Sequence, residues 1–319
     1  MKKRIYSSIL IVITLALLFV LKVYVSDYFF DAFFGILACY GAFEMSKLLT
    51  KIGRYNHQYV AMLFPTILLA INLVGVHMAS STADMYWILY TILIDVAAMI
   101  VVAGLTFLFD LCRKKTVRNE INVRNLKVSP VKFSFVKAVN TLITFVYPAF
   151  LFMFFIFVNH IGDFGFTKFV GITSDISLFV LLSAFIIPMF TDTFAMLTGS
   201  LIGGKKLCPK ISPNKTISGS AGGVLWCVLI AACVYLVFGC IESFAPFMEI
   251  FPIWAYLVIV FVGSFVAQAG DLFESVIKRR AGVSDSGKFL PGHGGLLDRI
   301  DSHIYMAPYI FLAFLIFAI

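Results

Sequence analysis

A chain of 319 residues with 61% hydrophobic and only 13% charged side chains, and a formal net charge of +8, carries more apolar surface than a water-soluble domain of this size can bury. Its six cysteines include no C-x-x-C pair, so neither a disulfide framework nor a zinc site is implied. Apolar runs long enough to cross a bilayer recur throughout, which predicts an all-α, polytopic integral membrane protein, because a helix satisfies its backbone polar groups within one segment.

Nine spans are expected in chain order, at 5–25, 28–46, 59–80, 86–111, 134–158, 177–198, 218–240, 252–272 and 303–319. The first opens on Lys2-Lys3-Arg4 like a signal peptide, but its apolar core is long and no A-x-A site follows, so it reads as a retained helix. The second is the least apolar, with Asp31 and Glu44 near its ends and Gly35 and Gly41 inside it. Placing the N-terminus in the cytoplasm puts 23 of the 25 Lys and Arg residues on that side, leaving only Lys22 and Lys168 outside. Cytoplasmic flanks accumulate basic residues in this way. The positive charge therefore faces the anionic inner leaflet of the cell membrane, and nucleic acid need not be invoked. The run 113–137 reads as a solvated basic loop beside the headgroups.

Two polar islands interrupt the apolar pattern. In 191–223, Asp192 lies within a span, where an ionisable residue is costly and a functional candidate by default, the alternative being a carboxylate satisfied by polar groups of a partner helix. It shares a helical face with Ala195 and Gly199. The loop that follows carries Ser212, Lys215 and Thr216 before Gly219, Gly222 and Gly223 at the next helix start, an arrangement suited to phosphate. In 271–301, Asp271, Glu274 and Lys278 lie on one helical face, and Asp298 and Asp301 open the last helix. Between them stand Asp285, Lys288 and Pro291-Gly292-His293-Gly294-Gly295. Carboxylates, cations and glycines in that density suit a metal-bound polyphosphate.

These residues resemble the phosphatidate cytidylyltransferases, also called CDP-diacylglycerol synthases. Ser275, Ile277, Lys278, Arg279, Asp285, Gly287, Pro291, His293, Gly294, Gly295, Leu296, Asp298, Arg299, Ile300 and Asp301 stand in register with that family's signature. Asp192-Thr193, Ala195, Pro209, Ile211-Ser212-Pro213, Lys215-Thr216, Gly219, Gly270-Asp271-Leu272 and Glu274 are similar to its second conserved region and the stretch leading into the signature. Three positions depart: Phe194 for a usual Gly, Ser218 for a usual Glu, and Ser284 for a usual Lys, whose charge Lys288 is expected to restore.

The resemblance implies a cytidylyltransferase in phospholipid biosynthesis that joins CTP to phosphatidate, with Mg²⁺, and room for a second cation, as cofactor. It implies catalytic roles for Asp271, Asp298, Lys278, Arg279 and Arg299, with Asp271 and Asp298 as metal ligands. Asp192, Ser212, Lys215, Thr216, Ser275, Asp285, His293, Gly294, Gly295 and Asp301 would bind nucleotide or lipid, His293 either touching phosphate or only stabilising its loop. Residues 1–133 would form an N-terminal membrane region and 134–319 the catalytic one, facing the cytoplasm among membrane lipids. A homodimer stays open. A CTP-dependent kinase of a polyprenol or phytol, and an inactive lipid-binding paralogue or transporter, are the alternatives.

Overall fold

The computed structural model describes residues 2–164, 173–289 and 294–318; Lys168, placed outside by the charge pattern, lies beyond them. The chain runs through α1 (Lys2–Tyr24), α2 (Tyr28–Lys51), α3 (Gln58–Thr82), α4 (Tyr86–Cys112), α5 (Lys114–Val123), α6 (Pro130–Thr144), α7 (Leu151–Asn159), α8 (Thr173–Ile202), α9 (Ile217–Gly239), α10 (Ala245–Ile250), α11 (Ile253–Arg280) and α12 (Leu297–Ala318). Eight segments among the described residues are helical, long and apolar enough to cross a membrane, and α1 adds a shorter apolar stretch, Leu10–Tyr24. Each expected span falls on a helix. The protein is an all-α, multi-pass membrane protein.

Helix ends differ from the apolar spans in a way that matters. α11 runs on to Arg280 and α12 begins at Leu297, well beyond the apolar cores at 252–272 and 303–319. Hydropathy measures the hydrocarbon thickness, whereas a helix continues while its backbone bonds and packing continue. The charged residues of 271–280 and 298–301 are therefore held on rigid helical turns.

Two other segments depart from expectation. The basic run 113–137 is not simply a solvated loop: Val117 and Ile121 of α5, one turn apart, are buried against Phe133 of α6, Arg124 lies 3.8 Å from the Tyr55 ring centroid, and Lys137 pairs with Glu120 at 3.2 Å. The loop after α8 folds into an antiparallel hairpin, β1 (Lys206–Cys208) and β2 (Ser212–Thr216), with Lys206 opposite Thr216. The span at 134–158 is broken at Tyr147–Pro148, a cis peptide with non-helical backbone at Tyr147.

Aromatic rings fill the centre. Phe34 of α2 stacks on Phe155 of α7 at 4.7 Å between centroids, and Phe155 on Phe185 of α8 at 5.4 Å. One end of the bundle is latched by charge: Lys22 pairs with Asp27 and donates to Asn159 Oδ1 at 2.9 Å, while His160 contacts Asp31 at 2.9 Å and Asp163 at 3.1 Å. Burial opposes protonation of His160, but the two carboxylates outweigh it and raise its pKa to about 9. At the other end, α8 and α9 meet through small residues. A Cβ on Gly223 would stand 2.6 Å from the Thr191 carbonyl oxygen, and one on Gly219 would stand 2.5 Å from that of Ala195.

Because both obstacles are backbone, Gly223→Val must push α8 and α9 apart, at a cost of about 1–3 kcal/mol. We expect a lower thermal unfolding midpoint in detergent; an unchanged midpoint would remove the close packing assigned here.

Candidate active site

The C-terminal halves of α8 and α11 and the first turns of α9 and α12 come together at the end of the bundle opposite the latch. With the hairpin they frame a cavity of about 700 Å³. Its wall includes Asp192 of α8, Lys215 of β2, Asp271 of α11, and Asp298 and Asp301 of α12. Residues from both polar islands, up to about 110 positions apart in the chain, thus share one space. Ser212, Thr216, Lys278, Asp285 and Arg299 also line it.

Lys278 organises the interior wall. Its Nζ donates to Glu274 Oε2 at 2.9 Å, one turn earlier on α11, and to Asp298 Oδ1 at 2.7 Å across the gap to α12. The three side chains are only 12%, 0% and 7% exposed, in the order Lys278, Glu274, Asp298. The other oxygen of Asp298 accepts from the backbone N–H of Ser286 at 2.9 Å and of Gly295 at 2.7 Å. Its place in the first turn of α12 adds the favourable end of the helix dipole. Gly294 has φ of +86°, and a Cβ there would stand 2.7 Å from Asp298 Oδ2, so glycine is required on both counts.

The outer wall is arranged more openly. Lys215 pairs with Asp271 Oδ2, whose other oxygen has a Ser275 hydroxyl at 3.4 Å. Asp192 Oδ2 accepts from the Ser302 hydroxyl at 3.1 Å. Asp271 lies within electrostatic reach of both Asp192 and Asp301. Thr216 caps α9, its Oγ1 accepting from Gly219 N at 3.0 Å, so the hydroxyl expected to meet phosphate is also structural.

Not every expected residue joins the cavity. Arg279 is exposed and donates to the Ile211 carbonyl at 3.0 Å, tying the end of α11 to the hairpin rather than lining the wall. His293, with Pro291 and Gly292, lies outside the described residues. Lys288 is exposed and does not line the cavity among the described residues. The three departures have local explanations: Phe194 stacks on Trp226 with centroids 5.7 Å apart, Ser218 donates to the Gly203 carbonyl and so holds the hairpin root, and Ser284 donates to Asp285 at 2.9 Å.

Sequence reasoning left several residues without a role. Glu274 lies fully buried behind the wall as a partner of Lys278, and Gln268, one turn before Asp271, lines the cavity with its Nε2 lacking a partner among the described residues. Glu44 of α2 reaches the segment preceding α12, where it accepts from Leu297 N at 2.8 Å. An acidic residue in an apolar helix was the available signal for Glu44.

A family model described as the cytidylyltransferase family matches residues 2–317. The chain belongs to the cytidylyltransferase family. Among its relatives, a protein named phosphatidate cytidylyltransferase from Staphylococcus haemolyticus is 44% identical over 144 residues, which are 45% of this chain and 52% of that one. Proteins of the same name from Staphylococcus epidermidis and Staphylococcus aureus are 38% and 39% identical over 182 and 181 residues, in each case 57% of this chain and 60% of theirs. The chain thus spans roughly half to three-fifths of the length of the curated relatives it matches. The family match extends over the N-terminal half, which holds none of the residues that carried the sequence resemblance.

Lys278→Met leaves Glu274 and Asp298 buried without their cation, a change that costs about 3–5 kcal/mol where a buried pair is broken. We expect a large fall in thermal stability, partly recovered when Glu274→Gln is added. A single variant as stable as the parent would show that Lys278 does not compensate the pair.

Proposed function

We propose that the protein transfers the cytidylyl group of CTP to phosphatidate, releasing pyrophosphate and forming CDP-diacylglycerol on the cytoplasmic side of the cell membrane. The observation that carries this reading is the meeting of Asp192, Lys215, Asp271, Lys278, Asp298 and Arg299 in one cavity at the membrane-helix ends. Nine spans with the N-terminus in the cytoplasm, the arrangement the charge pattern favours, would put that cavity on the basic, nucleotide-facing side. The names of the staphylococcal relatives point to the same reaction.

The chemistry needs little proton handling. A phosphate oxygen of phosphatidate attacks the α-phosphorus of CTP, and the bond to the pyrophosphate oxygen breaks. Since the attacking group is already anionic, the barrier comes from two anions approaching and from charge gathering on the leaving group. Lys215, Lys278 and Arg299 supply positive charge around the cavity, and the first turn of α9 adds partial charge. Ser212 and Asp285 line the cavity where a nucleotide's polar groups would lie.

The donor set fits a hard divalent cation, Mg²⁺, which takes carboxylate and phosphate oxygens and keeps several waters. Asp271 would hold it, with Asp298 across the cavity. Asp192 and Asp301 line the same space. When bound, the cation neutralises phosphate charge and orients the two reactants. Asp271 has Lys215 as its ion-pair partner, a long side chain able to turn from carboxylate to phosphate, whereas both oxygens of Asp298 are already engaged. Asp298 therefore also keeps the turn before α12 in place.

The lipid side of the cavity suits a two-tailed substrate. Met196 lines the cavity yet is 73% exposed, and Leu197 and Leu201 beside it are exposed as well. Acyl chains would lie against this face of α8 while the headgroup meets the cations.

Purified protein given phosphatidate and labelled CTP should release pyrophosphate and form CDP-diacylglycerol. Release of CDP with a phosphorylated alcohol would mean γ-phosphoryl transfer instead, and no turnover with lipid binding retained would mean a binding protein. Asp271→Asn and Asp298→Asn should each lower turnover by about 10³-fold or more while the protein stays folded, as losses of charge stabilisation at a reacting centre do. Undiminished turnover in either would remove its assignment to the cation.

A further inference from the structure

We infer that Glu44, on the second helix, is a positioning residue for the turn that carries Asp298, and that α2 is thereby part of the active site. The inference rests on the cytidylyl-transfer reading for its kinetic consequence and on geometry for the rest.

Glu44 is 2% exposed. Its Oε2 accepts from Leu297 N at 2.8 Å and from Ser286 Oγ at 3.0 Å. Each partner is next to, or part of, a group that holds the aspartate: Ser286 N and, two residues before Leu297, Gly295 N both donate to Asp298 Oδ2. One carboxylate therefore clamps the two strands of the segment, and a second carboxylate is held by the same two strands. Because the donors to Glu44 are a neutral N–H and a neutral O–H, they need an acceptor oxygen rather than a negative charge.

The fit around Glu44 is tight enough to explain two glycines that phosphate binding does not. A Cβ on Gly287 would collide with Glu44 Oε1, and one on Gly295 would stand 2.5 Å from Glu44 Oε2 and collide with Ser286 Oγ. Other residues of α2 complete the dock. Tyr40, one turn before Glu44, packs on Phe289 with ring centroids 4.5 Å apart. A Cβ on Gly41 would lie 3.3 Å from Ile300 Cδ1 of α12. The three positions form one patch of α2 that meets the signature segment, the start of α12 and the broken span at Pro148.

A displaced turn would move Asp298 relative to Lys278 and the reacting phosphates, and displacement of about 1 Å near a reacting centre costs roughly 10²-fold in rate. Lipid contacts on α8 would be untouched. The test compares Glu44→Ala, Glu44→Gln and Ser286→Ala in the full-length protein. Amide hydrogen exchange without metal or substrate reads the clamp itself, and steady-state kinetics read its consequence.

In Glu44→Ala, the amides of Ser286, Gly295 and Leu297 should exchange at least about tenfold faster, and kcat should fall about 10²-fold with KM for phosphatidate within about twofold. Glu44→Gln should restore protection and most of kcat. Ser286→Ala should fall between, and adding it to Glu44→Ala should cause little further loss, because both remove one clamp. Parental exchange and kcat in Glu44→Ala would overturn the inference. If that variant fails to fold, parental values in Ser286→Ala overturn it equally. A wild-type protein that makes no CDP-diacylglycerol would defeat the functional reading alone, since the exchange arm would still decide the clamp.

Discussion

The buried ion triad Glu274–Lys278–Asp298 sets the terms for the rest of the site. Two carboxyl groups share one ammonium group at the margin of the bilayer, and little water reaches them. Such a group persists only if remaining lone pairs are met by well-placed donors. Backbone N–H groups of Ser286 and Gly295 serve Asp298, so the irregular turn before α12 is a requirement of the charge, not an ornament of the loop.

That requirement explains why side chains of similar type have different fates. Lys278 and Arg279 are adjacent, yet one helical step turns the first inward to the carboxylates and the second outward to the hairpin carbonyl of Ile211. Lys215 reaches the cavity because the hairpin folds back over it. Phe194 departs from the usual glycine without cost to the cavity, since its ring lies on the α8–α9 surface against Trp226.

Much of this was legible beforehand because lipid imposes a strict code. The apolar runs of bilayer length became helical, the one at 134–158 with a break at Tyr147–Pro148, and Asp192, Lys215, Asp271, Asp298 and Asp301 were singled out by charge in an apolar chain. Less visible were features decided by packing. The i, i+4 pair Val117 and Ile121 was masked by the lysines and arginines around it, so α5 read as a loop. Helix extension past the membrane left no hydropathy signal. Lys288 was near the site in sequence but is directed to solvent, and proximity along a loop does not determine which way a side chain turns. Glu44 was noticed only as a blemish on an apolar span, for its partners are 242 and 253 positions away.

That separation has a bearing on how the molecule is put together. Helices enter a bilayer in the order in which they are made, so α2 must wait, with an acidic group near the membrane margin, until α12 supplies its partner. An unmatched carboxylate there is unfavourable, and the arrival of α12 relieves it. The helices α2 and α12 are thus drawn together by a debt incurred early in biogenesis, and the cavity end of the bundle is complete only once α12 has arrived.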